Sequence, residues 1–202
     1  MSTVSLDKKL RLGPELAGIS LAPEEFDAVE ECDENYFYEL INGVLVVTPP
    51  PLESERDPNE ELGHWLRTYR EQHPQGLILD KTLPEQIVAT RNNRRRADRV
   101  IWVGLGRVPD PEIDPPSIVV EFVSAAKRDW QRDFVEKKGE YMQIRVSEYW
   151  IVDRFRRQMT VYRPRKREVI IGENETYRTP LLPGFELPLA RLFAVADSWK
   201  KE

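Results

Sequence analysis

The sequence predicts an α/β (α+β) fold, a mixed β-sheet flanked by helices, on three observations. SIVVEFVS at 117–124 is a continuous β-branched run, the mark of a strand covered on both faces. A helical stretch from Asp129 to Ile144 leads from it to a second buried-type run, SEYWIVD at 147–153. That order, strand, helix, strand, is the order of a crossover unit. Ahead of both, YFYELINGVLVVTPP carries Asn42-Gly43 between two β-rich runs, which predicts an added N-terminal β-hairpin.

The remaining elements follow along the chain. Residues 1–20 carry no clear period and are expected to form a loose N-terminal arm. Pro23 opens a short helix, PEEFDAVEEC, with proline and acids in the first turn, where both suit a helix. Residues 57–72 read as a helix with Leu62, Trp65, Leu66 and Tyr69 on one face. Beyond the Pro74–Gly76 break, short strands are expected near 77–80 and 85–89. A polar arginine loop then leads to a strand over 97–103. GRVPDPEIDPP is a proline-rich loop, MTVYRP (159–164) pairs beside the 147–153 strand, and LPLARLFAVADSW closes the chain as a short helix. This predicts one domain over 21–195 and a C-terminal tail over 196–202.

Composition sets limits. With 202 residues, 40% of them hydrophobic, the chain can build one well-cored domain. No apolar run approaches the roughly 18 residues of a membrane span, and the first residues lack a signal-peptide core, so no membrane partner and a cytoplasmic location are expected. Cys32 is the only cysteine, which excludes an intrachain disulfide and a cysteine metal cluster. The net charge of -5 opposes nucleic-acid binding, but Arg91, Arg94, Arg95, Arg96 and Arg99 concentrate positive charge in one segment. Such a run is either a solvated surface or a phosphate-contacting patch.

Three residues sit against their surroundings. Glu121 lies mid-strand with apolar neighbours on both faces, so its carboxylate must be ion-paired, protonated or metal-bound. Asp98 stands at the start of the 97–103 strand, as a turn or salt-bridge residue or as a second acid. Lys137 falls in the middle of the apolar stripe of Trp130, Phe134, Tyr141 and Ile144, with Asp133 one turn earlier at the margin. It either snorkels or points at the sheet. Two acids on adjacent strands and a lysine on the following helix can serve phosphodiester hydrolysis. Carboxylates suit Mg²⁺, the metal activates water, and the ammonium stabilises charge on phosphorus. The two acids also repel, so Glu121→Gln is expected to keep or raise stability in the absence of metal; a large loss would identify a structural ion pair.

These motifs resemble the PD-(D/E)XK nuclease superfamily. More narrowly they resemble a family of restriction-endonuclease-like proteins, abundant in cyanobacteria, that was long catalogued as a domain of unknown function. The likeness rests on YELINGVLVVTPPP (38–51), Ala97-Asp98-Arg99-Val100, VVEFVS (119–124), the Asp133, Lys137, Tyr141 spacing and EYWIVD (148–153), over about residues 20–190. Ala97 departs from the usual proline. The resemblance implies a restriction-endonuclease-like sheet. It implies metal ligation by Asp98 and Glu121, catalysis by these two with Lys137, and support from Glu39 and Asp133. Val123 occupies the ordinary lysine position, so the helix lysine replaces it. The implied activity is Mg²⁺-dependent endonucleolytic cleavage of DNA, with Mn²⁺ as a substitute. Arg94, Arg95, Arg96 and Arg99 would contact phosphates, and a homodimer would cut both strands. The alternative is a nucleic-acid-binding or regulatory module of weak or no activity on the same fold.

Overall fold

Alternating and β-branched runs collect into one large sheet. A computed structural model describes residues 10–124 and 130–199, without side chains for residues 130–134. The chain passes through β1 (Arg11–Leu12), α1 (Pro23–Asp27), β2 (Glu31–Cys32), β3 (Phe37–Ile41), β4 (Val44–Thr48) and α2 (Glu53–Gln72). It continues through β5 (Leu79–Ala89), β6 (Arg94–Val103), β7 (Ile118–Phe122), α3 (Trp130–Gln143), β8 (Glu148–Asp153) and β9 (Gln158–Tyr162). It ends with β10 (Val169–Gly172), β11 (Thr176–Tyr177), β12 (Leu187–Pro188) and α4 (Leu189–Asp197).

The large sheet has the order β10-β9-β8-β7-β6-β3-β4, with β5 also on β6. Within it β7 and β8 run parallel, from Ile118↔Glu148 to Phe122↔Val152. A parallel pair cannot be joined by a tight turn, so the chain crosses over through α3. The other pairings of this sheet are antiparallel. The β3–β4 hairpin turns on Asn42 (φ 51) and Gly43 (φ 76), the two left-handed residues that a type I′ turn needs.

Several expected boundaries move. The two pieces near 77–80 and 85–89 merge into β5, which carries Pro84 as an edge strand can. The expected arginine loop is mostly strand: β5–β6 pairing begins at Ala89↔Arg94. The turn shrinks to Thr90–Asn93 because Thr90 N donates to Asn93 O (2.9 Å) and buried Asn93 accepts from Asn42 N (2.7 Å). Helix α2 starts at Glu53 rather than 57, with Pro58 inside it. Proline leaves the Ser54 carbonyl without its helical donor, and Arg154 Nη1 reaches that oxygen at 3.5 Å. Residues 10–20 are not a loose arm. Gly18 N donates to Leu45 O (2.8 Å) and Leu45 N to Ile19 O (2.9 Å), while Leu12 packs on Tyr38 and Leu45. A hairpin at the end of a sheet cannot bury its own apolar face, and this segment covers it.

Strand β6 organises the rest. A strand has two edges, and β5 runs along the whole of one, to Leu79↔Val103. On the other edge β7 pairs only with Arg99–Ile101, and β3 only with Arg94. The sheet therefore splits beside residues 95–98. One face of the sheet is covered by α2, α4 and the C-terminal segment, through Leu62, Leu66, Ile101, Val120, Leu192 and Phe193. The other packs on α3 through Val100, Trp102, Val119, Tyr141 and Tyr149. Among the described residues no helix is long and apolar enough to cross a membrane.

Below α2 lies Arg99, 0% exposed. Its Nε donates to Asn59 Oδ1 (2.6 Å), Nη2 to Asn59 O (2.8 Å) and Nη1 to Thr82 Oγ1 (3.2 Å). The guanidinium fits because position 63 is glycine: a Cβ there would stand 2.6 Å from Nη2. Gly63→Ala should therefore destabilise the protein by about 1–3 kcal/mol in urea denaturation. Helix propensity alone predicts a gain of about 1 kcal/mol, so a stabilised variant would show that the guanidinium can move aside.

Candidate active site

At the split the sheet brings the three anomalous residues together. Glu121 lies near the end of β7, 0% exposed. Its Oε1 accepts from Lys137 Nζ at 2.8 Å and from Tyr141 Oη at 3.3 Å. Residues four apart on a helix share a face, which is how Lys137 and Tyr141 reach one oxygen. Lys137 is only 4% exposed. Burial alone would lower its pKa, but the charges of Glu121, Glu39 and Asp98 outweigh that and hold the ammonium above its ordinary value. Lys137 thus points at the sheet as a cation. Burial, then the charges of Glu121 and Glu39, push the Tyr141 hydroxyl well up, so it stays a donor.

Asp98 reaches the same place from β6. The β6–β7 register runs Ile101↔Ile118, Val100↔Val119, Arg99↔Val120, and one further step sets Asp98 opposite Glu121. Asp98 Oδ2 accepts from Phe122 N at 2.5 Å, supplying an acceptor where strand pairing has ended. Side-chain alternation slips here. Ala97 and Val100 both pack on the α3 side, whereas Arg99 and Ile101 face α2. The slip lies opposite Glu85, a non-glycine residue at φ 52. Irregularities of this kind re-aim a side chain, and this one turns Asp98 to the opening. Glu39, on β3, accepts from Arg96 N at 2.9 Å across the same gap, and Lys137 Nζ lies 3.5 Å from Arg96 O.

The opening is a cleft of about 410 Å³ whose lining includes Glu39, Glu85, Arg96, Asp98 and Lys137 together with Phe37 and Pro49–Leu52. Glu85 is a further acid that the sequence did not single out. Burial, then the charge of Asp98, pushes its carboxyl from 4.5 up to about 8, against the pull of Arg96. Asn59 was also missed. It joins α2 to the site, accepting from Arg99 while its Nδ2 donates to Asp98 O at 2.7 Å. A polar residue on the buried face of α2 was the available signal. The side chain of Asp133 lies outside the described residues.

The arginines expected in one patch are dispersed. Arg94 pairs with Asp27 through two bonds of 2.7 and 2.5 Å. Arg95, 1% exposed, pairs with Glu140 on α3 at 3.0 and 2.6 Å. Arg99 is enclosed beneath α2. A strand sends alternate side chains to opposite faces, so a run expected on a solvated loop is divided among the two layers and the cleft. Of the four expected phosphate contacts, Arg96 lines the cleft.

A family model described as Uma2, a putative restriction endonuclease, matches residues 23–190. No curated protein matches the sequence. Among solved structures, a putative nuclease belonging to DUF820 from Anabaena variabilis is similar at 15% sequence identity, over 87% of this chain and 99% of that one, with a TM-score of 0.72. That likeness shows the fold, restriction-endonuclease-like as the motifs implied.

The buried pair reverses the stability expected for Glu121. Glu121→Gln leaves the Lys137 charge enclosed without its carboxylate and should cost about 3–5 kcal/mol in chemical denaturation. Adding Lys137→Met should recover most of that loss; an additive double variant would mean the pair contributes little. A pH effect follows from Glu85. Its folded pKa is raised, so the stability it contributes is fully present below about 4.5 and is lost as pH rises through about 8. In metal-free buffer Glu85→Gln should therefore remove part of the fall in denaturation midpoint across that window. Parallel profiles for the two proteins would count against this reading.

Proposed function

The chain belongs to the putative restriction endonuclease family, and on that footing we propose that it is a metal-dependent endonuclease hydrolysing phosphodiester bonds of DNA. The observation that carries this reading is the meeting of Asp98, Glu121 and a buried cationic Lys137 at the open split of the sheet.

The donor set suits a hard divalent cation. Among the described residues no three His, Cys, Asp or Glu side chains form a ready metal cage. Mg²⁺ does not need one, since it keeps several waters and takes one or two carboxylates. Asp98 and Glu121 are the proposed ligands, with Mn²⁺ as a substitute. When bound, such an ion lowers the pKa of a coordinated water and offsets phosphate charge. The surrounding carboxylates favour the charged form of Lys137, which suits it to an electrostatic role. Its role is to place a positive charge where negative charge grows on the phosphoryl oxygens. Tyr141 and Glu121 fix the ammonium, and Glu39 holds the β6 backbone through Arg96 N.

Calorimetric titration with Mg²⁺ and Mn²⁺, beside a plasmid-cleavage assay, tests this. Asp98→Asn keeps an acceptor for Phe122 N while removing the charge, so it should fold normally and lose both metal binding and cleavage. Lys137→Met should retain metal binding and lose cleavage by roughly 100-fold or more. Metal binding indifferent to Asp98→Asn, or absent from the unaltered protein, would defeat the proposal. Salt-sensitive DNA binding without cleavage would instead favour a non-catalytic binding module.

A further inference from the structure

Arg96 differs from its neighbours in how its charge is answered. Arg94, Arg95 and Arg99 each have a carboxylate within 4 Å, namely Asp27, Glu140 and Glu60. Among the described residues Arg96 has none. It is instead fixed by neutral partners: Nη1 donates to Glu85 O at 2.7 Å, and the guanidinium carbon stands 4.5 Å over the Phe37 ring. Its Nε is enclosed with no acceptor among the described residues. Burial lowers its pKa, and the more distant charges of Glu85 and Glu39 do not make up the difference.

A partly buried guanidinium held this way is preorganised and lacks a close counter-charge. An anion entering the cleft would supply one. The Lys137 cation beside it is already matched at 2.8 Å by Glu121, so the two cations are not equivalent. We infer that Arg96 is the residue that seats a backbone phosphate of the nucleic acid in the cleft. This rests on the nuclease reading and narrows it. Of the four arginines expected to contact phosphate, Arg94, Arg95 and Arg99 are turned into the fold or onto Asp27, which leaves Arg96 facing the cleft. Asp98, Lys137 and Arg96 line the same cleft, with Lys137 Nζ 3.5 Å from Arg96 O, so a phosphate seated there would lie beside the reacting groups.

The probe is a fluorescent DNA oligonucleotide, its affinity followed by anisotropy over a series of KCl concentrations in metal-free buffer. Arg96→Gln should weaken binding roughly tenfold. It should also reduce the slope of log affinity against log salt by about one phosphate contact. Arg96→Lys, which keeps charge and stem, should recover most of the salt slope. Arg94→Gln, which removes the pair with Asp27 and the bonds to the Thr90 and Asn93 carbonyls but nothing in the cleft, should leave both affinity and slope unchanged. Melting curves of Arg96→Gln and Arg96→Lys establish that both fold. If Arg96→Gln binds with unaltered affinity and slope while Asp98→Asn still abolishes cleavage, the phosphate seat is wrong and the nuclease reading stands. If the unaltered protein binds no oligonucleotide and cleaves none, the nuclease reading falls and the seat with it.

Discussion

Everything distinctive about this site follows from one shortage of hydrogen-bond partners along β6. Two strands share its second edge, and neither reaches the residues between Arg94 and Arg99. Backbone groups left open inside a sheet must find other partners, or the sheet pays their desolvation. Here they find side chains: Glu39 takes Arg96 N, Asp98 takes Phe122 N, and Lys137 approaches Arg96 O. The proposed catalytic residues therefore also close the split. The cleft opens at the gap those residues stabilise, which ties the position of each to the backbone rather than to a loop.

The enclosed Glu121–Lys137 pair adds a second constraint. Removing two charges from water costs several kcal/mol for each ion, and the attraction between them offsets this only with good geometry and further hydrogen bonds. At 2.8 Å, with Tyr141 donating to the same oxygen, this pair has both. An enclosed pair is nevertheless no proof of a site. Glu148 is equally buried, at the start of β8, and is satisfied by Arg163, Trp150 and Tyr177. That cluster is a structural network: all its partners come from the protein, and it borders none of the residues of the cleft. The Glu121 cluster differs because Asp98 and Lys137 also line an opening.

The same contrast explains what the sequence could and could not convey. Element types were legible wherever a local period set them, as in the β7–α3–β8 crossover and the Asn42-Gly43 hairpin. Lys137 was legible because a cation inside an apolar helical stripe conflicts with its surroundings whatever the tertiary structure. The arginine segment was misread because its fate is decided by pairing with β5, a contact the segment does not encode alone. Glu85 and Asn59 were invisible for a related reason. Glu85 reads as an ordinary polar position until β6 slips opposite it, and Asn59 acquires its role only when Arg99 is buried below α2. Local pattern reports which residues are misfits; convergence across strands decides which misfits meet.

The electrostatics of the cleft bear on how an acidic chain could handle a polyanion. Among the described residues lining the cleft, Glu39, Glu85 and Asp98 face two cations, Arg96 and Lys137, the latter paired with Glu121, while Glu55 is met by Arg154 at 3.8 Å. Burial first, and the charge of Asp98 after it, raise the Glu85 carboxyl to about 8, so that even with Arg96 beside it a carboxyl here resists ionising. Without a metal, a phosphodiester entering such a cleft is repelled by Glu39 and Asp98 and drawn chiefly by Arg96, since Lys137 is already matched by Glu121. A divalent ion on the carboxylates would reverse the sign of the field at the point of approach and also weaken the force holding the Glu85 proton. On the proposed function, substrate affinity, cation affinity and the protonation of Glu85 would form one coupled equilibrium, set by the spacing of residues on four strands and one helix.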